Sequence, residues 1–147
     1  SQTERLRSLI KKEKNHLIDN SEKTYDTFIN NIVSSKENLV KKIIELKSSN
    51  KKIIAKSCPA RAVVLLNYCG LNNTHLDYIA EQPTSLKLDQ YVPGTKLKIV
   101  NDDILKENEP DYILLLAWHL SEPIINKWKK RGLQSKFIIP LPKVEII

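Results

Sequence analysis

The sequence contains few of the residues on which several common functional sites depend. Its 147 residues include three glycines, two cysteines and no methionine. The glycines lie apart, at positions 70, 94 and 132, so the chain has no GxGxG loop of the kind that approaches a nucleotide closely. Cys58 and Cys69 lack the spacing of metal ligands, so we expect no metal site and reduced thiols in a cytoplasmic protein.

Long apolar runs and concentrated charge are also absent. No apolar run reaches the ~20 residues that a membrane-spanning helix needs, and we expect no membrane segment or signal peptide. The net charge is +7, but the basic residues are scattered over separate segments. Only two tryptophans, two phenylalanines and five tyrosines are available for stacking on bases. Solvated helix faces therefore explain the charge better than a nucleic-acid surface does.

Residues 1–50 have the apolar spacing of helices. Leu6, Leu9, Ile10 and Leu17 predict a first amphipathic helix, which Asn20 and Ser21 interrupt. A second helix is predicted from a longer apolar stripe: Tyr25, Phe28, Ile29, Ile32, Val33, Leu39, Val40, Ile43 and Leu46. We expect these two helices to form an N-terminal segment that packs on the remainder of the chain.

Residues 51–147 alternate strand and helix, which predicts a small Rossmann-like α/β domain with a parallel sheet and flanking helices. The predicted strands are Lys52–Lys56, Leu76–Ala80, Leu97–Val100, Tyr112–Ala117 and Phe137–Ile139; the predicted helices are Ala60–Cys69, Asp102–Lys106 and the segment from Ser121 to Gly132. In such a sheet, ligands gather at the carboxyl ends of the strands. We expect residues 57–61, 81–87, 91–95 and 118–121 to meet there.

The first strand, loop and helix form a candidate anion site. The loop contains Ser57 and Cys58, and the helix begins at Ala60. The first turn of a helix has unpaired N–H groups and the positive end of the helix dipole, both of which attract phosphate. Arg61 could add a charged fork for the same anion, with a surface salt bridge as the alternative.

Five further residues are candidate substrate contacts. Glu81 follows the second strand, where an acid commonly receives ribose hydroxyls, and Lys87 either reaches a phosphate or is simply solvated. Tyr91 either touches substrate or shapes a turn. Trp118 walls a pocket or closes the core, and His119 follows a central strand, where a histidine can act as a general base.

Four blocks of sequence resemble one known family. PARAVVLLNYCG, SLKLDQYVPGTKLKIV, PDYILLLAWHLSEPII and KFIIPLP occur in this order, and the likeness runs from about Glu13 to the end. They resemble the C-terminal domain of sugar C-methyltransferases, which methylate nucleotide-linked deoxysugars. The resemblance implies a substrate-binding domain that is inactive alone and works with a central methyltransferase domain. It places S-adenosylmethionine and zinc in domains absent from this chain and implies no catalytic residue here, since the family usually has asparagine at His119.

The first loop departs from the family pattern. The family reads approximately GYGAPAKGNT where this chain has AKSCPARAVV, so Ala55, Ser57 and Ala62 occupy glycine positions. Val63 and Val64 replace a polar pair. These changes favour an alternative function, a non-catalytic scaffold or interaction domain that has lost its nucleotide site. Its N-terminal helices would then pack on a partner domain or on a second copy.

Overall fold

The structure is a computed structural model that describes residues 2–13 and 21–147. The predicted helical position of Leu17 and the predicted break at Asn20 lie outside the described residues. The chain forms two compact units, residues 1–34 and residues 35–147. The predicted division between residues 50 and 51 stays a prediction.

Helices and strands alternate through the second unit, as the sequence pattern predicts. The helices are α1 (Gln2–Glu13), α2 (Ser21–Ser48), α3 (Ala60–Cys69), α4 (Ile104–Glu107) and α5 (Ser121–Lys130), with a short 3₁₀ helix at Trp118–Leu120. The strands are β1 (Ile53–Lys56), β2 (Ile79–Glu81), β3 (Tyr91–Val92), β4 (Leu97–Asn101), β5 (Tyr112–Leu115), β6 (Lys136–Ile139) and β7 (Glu145–Ile146).

The strands form one sheet in the order β3-β4-β2-β1-β5-β6-β7. The five central strands are parallel, whereas β3 and β7 pair antiparallel at the two edges. The predicted Rossmann-like α/β fold is therefore confirmed. Neither edge strand was predicted, because two residues are too short to show the alternating pattern of a strand.

Helices cover both faces of the sheet. Every residue of β1 is buried, which is why this strand has no alternation of apolar and polar residues. On one face, Leu39 and Ile43 of α2 join Leu66 of α3 in the core. On the other face, Trp128 of α5 packs among strand residues. Burying each such side chain contributes about 1.5–3 kcal/mol, so α2 and α5 secure the sheet from opposite sides.

Pro93, Gly94 and Thr95, which we call the PGT block, form a turn that α3 holds in place. Gly94 has a φ of +78°, and a Cβ atom there would lie 2.2 Å from the side-chain oxygen of Asn67. The Asn67 amide donates to the carbonyls of Pro93, at 3.0 Å, and Val63, at 2.8 Å. The Thr95 hydroxyl donates to the Val92 carbonyl at 2.9 Å. These three residues therefore shape the turn before β4.

Pro110, Asp111 and Tyr112, which we call the PDY block, join the starts of β1 and β5. An Asp111 carboxylate oxygen accepts the Lys52 N–H at 2.8 Å. The preceding Glu109 accepts the Ser135 N–H at 2.7 Å, and Ser135 donates its hydroxyl to the Pro110 carbonyl at 2.6 Å. These bonds align the amino ends of β1, β5 and β6, so the block has a structural role.

Candidate functional site

A sharp turn at Ser57 carries the chain from β1 into α3. Ser57 has a φ of +67°, and its N–H donates to the Ala80 carbonyl at 2.9 Å. Residues other than glycine adopt this left-handed conformation at a cost of about 1–2 kcal/mol. Pro59 follows as the N-cap of α3 and offers no side-chain hydrogen bond to the helix. The sequence thus ends β1 abruptly. We call the first turn of α3 open because no side chain caps it, although the Ala62 N–H donates to the Pro59 carbonyl at 2.8 Å.

Two side chains hold the peptide groups of Cys58, one from the last residue of β2 and one from the segment that follows. One oxygen of Glu81 accepts the Cys58 N–H at 2.9 Å, and the other accepts the Gln82 N–H at 3.0 Å. The ammonium group of Lys87 donates to the Cys58 carbonyl. The predicted meeting of residues 57–61 with residues 81–87 is therefore confirmed. In this structure Glu81 and Lys87 fix the loop, and their predicted contacts with ribose and phosphate stay predictions.

The Cys58 thiol is protonated at neutral pH. Cys58 is buried, and burial raises the pKa of its thiol; the charge of Lys87 lowers this pKa and that of Glu81 raises it. A thiol with a raised pKa is a poor nucleophile. We therefore assign Cys58 a packing role beneath the loop.

Arg61 and Trp118 lie together across the ends of β1 and β5. Arg61 is an exposed residue in the first turn of α3, and the centre of its guanidinium lies 5.6 Å from the centroid of the Trp118 ring. Trp118 is half-buried in the 3₁₀ helix after β5. The exposed His119 ring stands edge-on to Trp118, with 6.3 Å between centroids. The predicted meeting of residues 57–61 with residues 118–121 is thus also confirmed.

These two strand ends form the topological switch point of the sheet. β1 and β5 are adjacent and parallel, but the chain continues from β1 towards β2 on one side and from β5 towards β6 on the other. The connections therefore diverge and leave a crevice at the carboxyl ends, where doubly wound sheets bind ligands. Arg61, Trp118 and His119 lie at these strand ends, and we call them the crevice residues.

Tyr91 lies away from this crevice. The exposed Tyr91 side chain lines a shallow depression beside Asn73 and Asp77, and Tyr91 pairs with Lys98 early in β4. The structure thus brings together three of the four segments expected to meet. The fourth was misplaced because its antiparallel strand β3 went unrecognised.

Sequence reasoning also missed a buried ion pair beneath the loop. The Lys56 ammonium lies 2.6 Å from a carboxylate oxygen of Asp102, and the side chains are only 5% and 4% exposed. The same ammonium lies 5.4 Å from the centroid of the Trp128 ring. The signal in the sequence was a lysine at the end of an apolar strand, which a solvent-exposed strand end explains equally well. This pair joins the carboxyl end of β1, immediately before Ser57, to the turn after β4.

The placement of S-adenosylmethionine and zinc in other domains, which the resemblance implies, stays a prediction. The Cys58 N–H, which would face a bound phosphate or carboxylate, is bonded to Glu81. The described part of the chain contains no group of three or more His, Cys, Asp or Glu side chains placed to hold a metal ion.

Within residues 2–13 and 21–147, no helix combines the length and the apolar character required to span a bilayer.

Comparison with known proteins establishes the family. The sequence model described as the C-methyltransferase C-terminal domain matches residues 1–142. The chain belongs to this family. It is also 29% identical over 102 residues to the C-methyltransferase NovU of Streptomyces niveus, a match that covers 68% of this chain and 24% of NovU. The chain thus spans about a quarter of the length of this curated relative, and the resemblance read from the sequence is confirmed.

The C-methyltransferase C-terminal domain formed by this chain has Ala55, Ser57 and Ala62 where the family pattern has glycine. Ala55 lies in a buried strand and Ala62 is fully buried in α3, so both methyl groups pack in the core. Of these three positions, only that of Ser57 has a backbone conformation that favours glycine.

Proposed function

We propose that this domain binds the nucleotide part of a nucleotide-linked deoxysugar for a C-methyltransferase. The observation that carries the proposal is the position of Arg61, in the open first turn of α3 and against Trp118 at the switch point. A guanidinium and the amino end of a helix that no side chain caps favour a diphosphate, and an aromatic ring favours a base or sugar face. The resemblance and the name of NovU support the choice of reaction.

In this proposal the domain supplies binding and orientation, and the chemistry takes place in the remainder of the enzyme. Methyl transfer to carbon needs a methyl donor, which S-adenosylmethionine supplies when bound to the methyltransferase region. We also assign zinc to a region outside this chain. Arg61 would neutralise the diphosphate, and Trp118 would limit where the sugar lies.

Calorimetric titration of the chain with dTDP and with UDP at low salt tests the proposal. Arg61→Ala should weaken binding about 10- to 100-fold, because charge-assisted hydrogen bonds contribute about 1.5–3 kcal/mol. Arg131→Ala is the matched control: Arg131 is also exposed and its guanidinium lies 5.1 Å from a tryptophan ring, that of Trp128, outside the crevice. Equal affinities of the two variants would refute the assignment of Arg61.

A second candidate function is a scaffold that no longer binds nucleotide. The hydrogen bonds of Glu81 and Lys87 to Cys58 favour it, because they occupy groups that a ligand would use. A scaffold would release no heat with either nucleotide, and Arg61→Ala would leave the KM of the complete enzyme unchanged. A raised KM in the complete enzyme would instead support the binding role.

A further inference from the structure

Unit 1 exposes a series of large apolar side chains that its own fold does not cover. They lie on α1 and on the first half of α2, and each is between 36% and 65% exposed: Leu6, Leu9, Ile10, Tyr25, Phe28, Ile29, Ile32 and Val33. We call these eight residues the N-terminal apolar face. By contrast, Leu39, Ile43 and Leu46 of α2 are buried in the core of unit 2.

The spacing within each helix indicates a contact surface. Leu6, Leu9 and Ile10 follow the i, i+3, i+4 pattern. On α2, Phe28, Ile29, Ile32 and Val33 extend the same pattern over two further turns. Such a pattern places side chains on one side of a helix, where they would face a single partner. An isolated helix of 12 residues, the length of α1, is marginal in water, so contact with other parts of a protein is needed to stabilise it.

The length of the face argues against self-association. A coiled coil generally requires three to four consecutive heptads of apolar residues. The exposed stripe on α2 runs only from Tyr25 to Val33, and that on α1 only from Leu6 to Ile10. Two short stripes on separate helices match the broad surface of a folded domain better than they match a second copy of the same helices.

The family relationship identifies the domain. The matched family is the C-terminal domain of C-methyltransferases, and the match covers 24% of NovU. The greater part of such an enzyme therefore lies outside this domain and on its amino-terminal side. The N-terminal apolar face lies within the first 33 residues of the match, beside that junction.

We infer that the N-terminal apolar face packs on the methyltransferase region of the enzyme. This inference rests on the proposed function only in requiring that such a region be present. The contact joins the catalytic region to the nucleotide-binding domain through apolar surface, and the crevice residues Arg61 and Trp118 take no part in it.

Amide hydrogen exchange tests the contact, with the 147-residue chain compared with the complete C-methyltransferase that carries this domain. Amides of residues 21–34 should exchange at least about tenfold more slowly in the complete enzyme. Phe28→Asp with Ile32→Asp should abolish that protection. The control pair, Asn30→Asp with Ser34→Asp, adds the same charge at the same spacing on the opposite side of α2 and should retain it.

Two outcomes would overturn the inference. One is equal exchange of residues 21–34 in the chain and in the complete enzyme. The other is a dimer of the isolated chain in light scattering that Phe28→Asp with Ile32→Asp dissociates, because a second copy would then be the occupant. The titration with dTDP separates this inference from the proposed function: loss of nucleotide binding leaves the exchange comparison unchanged, and both acidic pairs should bind dTDP like the unmodified chain.

Discussion

Ser57 lies in a backbone conformation that favours glycine. Its φ of +67° is a conformation that glycine adopts without strain, and the family has glycine there. Ser57→Gly should therefore stabilise the fold by about 0.5–1 kcal/mol, since the relief of strain exceeds the added chain entropy of glycine. Urea unfolding measures the change.

The control for Ser57→Gly is Ala55→Gly, at another position where the family pattern has glycine. Ala55 lies in the extended, fully buried strand β1. Ala55→Gly removes a buried methyl group and increases the conformational entropy of the unfolded chain, and it relieves no backbone strain. It should therefore destabilise the fold by about 1 kcal/mol. If Ser57→Gly destabilised the fold as much as Ala55→Gly does, the strain assigned to Ser57 would be excluded.

At the scale of the elements, the Lys56–Asp102 pair connects β1 to the turn after β4, across the intervening β2. Both side chains are buried, so removal of one partner leaves an unpaired charge in the core. Lys56→Met should lower the free energy of unfolding by about 3–5 kcal/mol. Addition of Asp102→Leu should recover much of that loss, because an apolar pair avoids the desolvation of both charges.

A double-mutant cycle with urea unfolding measures the coupling of Lys56 to Asp102. The Lys56 ammonium also contacts the Trp128 ring, and Lys56→Met removes this contact. The other neighbours of Trp128 are the same in every variant, so the variants can be compared directly. Additive losses in the two single variants and the double variant would show that the pair contributes no coupling. That result would mean that packing alone holds the carboxyl end of β1 in place.

The elements also show what the sequence could predict. The bounds of α3 were predicted correctly, because a proline precedes the helix and Gly70 ends it in the left-handed conformation. The second strand was predicted at Leu76–Ala80 but begins at Ile79. The preceding backbone is bonded as turns, such as the His75 N–H to Asn72, which apolar spacing does not reveal. The buried Lys56–Asp102 pair depends on a crossing between strands distant in sequence, which no local pattern contains.

The sequence predicted the position of the candidate site in the fold more fully than it predicted the contacts of its side chains. The carboxyl-end rule brought Arg61, Glu81 and Trp118 to the correct edge of the sheet once the strands were located. The partners of Glu81 and Lys87 could not be predicted, because both depend on how the Ser57 turn presents the peptide groups of Cys58. Tyr91 was misplaced for a similar reason, since its strand β3 runs antiparallel to the five central strands.

At the scale of the whole molecule, three buried groups make the stability of the fold sensitive to alkali. Burial raises the pKa of the thiols of Cys58 and Cys69 and of the Tyr78 phenol. The Tyr78 hydroxyl is also buried without a hydrogen-bond partner among the described residues. Each group binds its proton more tightly in the folded state than in the unfolded state. Its contribution to stability is therefore complete below the unfolded pKa and is lost as the pH rises through the folded value.

The free energy of unfolding should accordingly fall as the pH rises above about 9, where unfolded cysteine thiols begin to lose their protons. Each group adds a slope of about 1.4 kcal/mol per pH unit between its unfolded and folded pKa values. Urea unfolding from pH 7 to pH 11 measures that slope in the unmodified chain and in Cys58→Ala with Cys69→Ala. The double variant should be less stable at pH 7, because it loses buried side chains, but its stability should fall less steeply above pH 9. Parallel curves would mean that the thiols ionise equally in both states, and the remaining decline would then belong to Tyr78, which Tyr78→Phe tests directly.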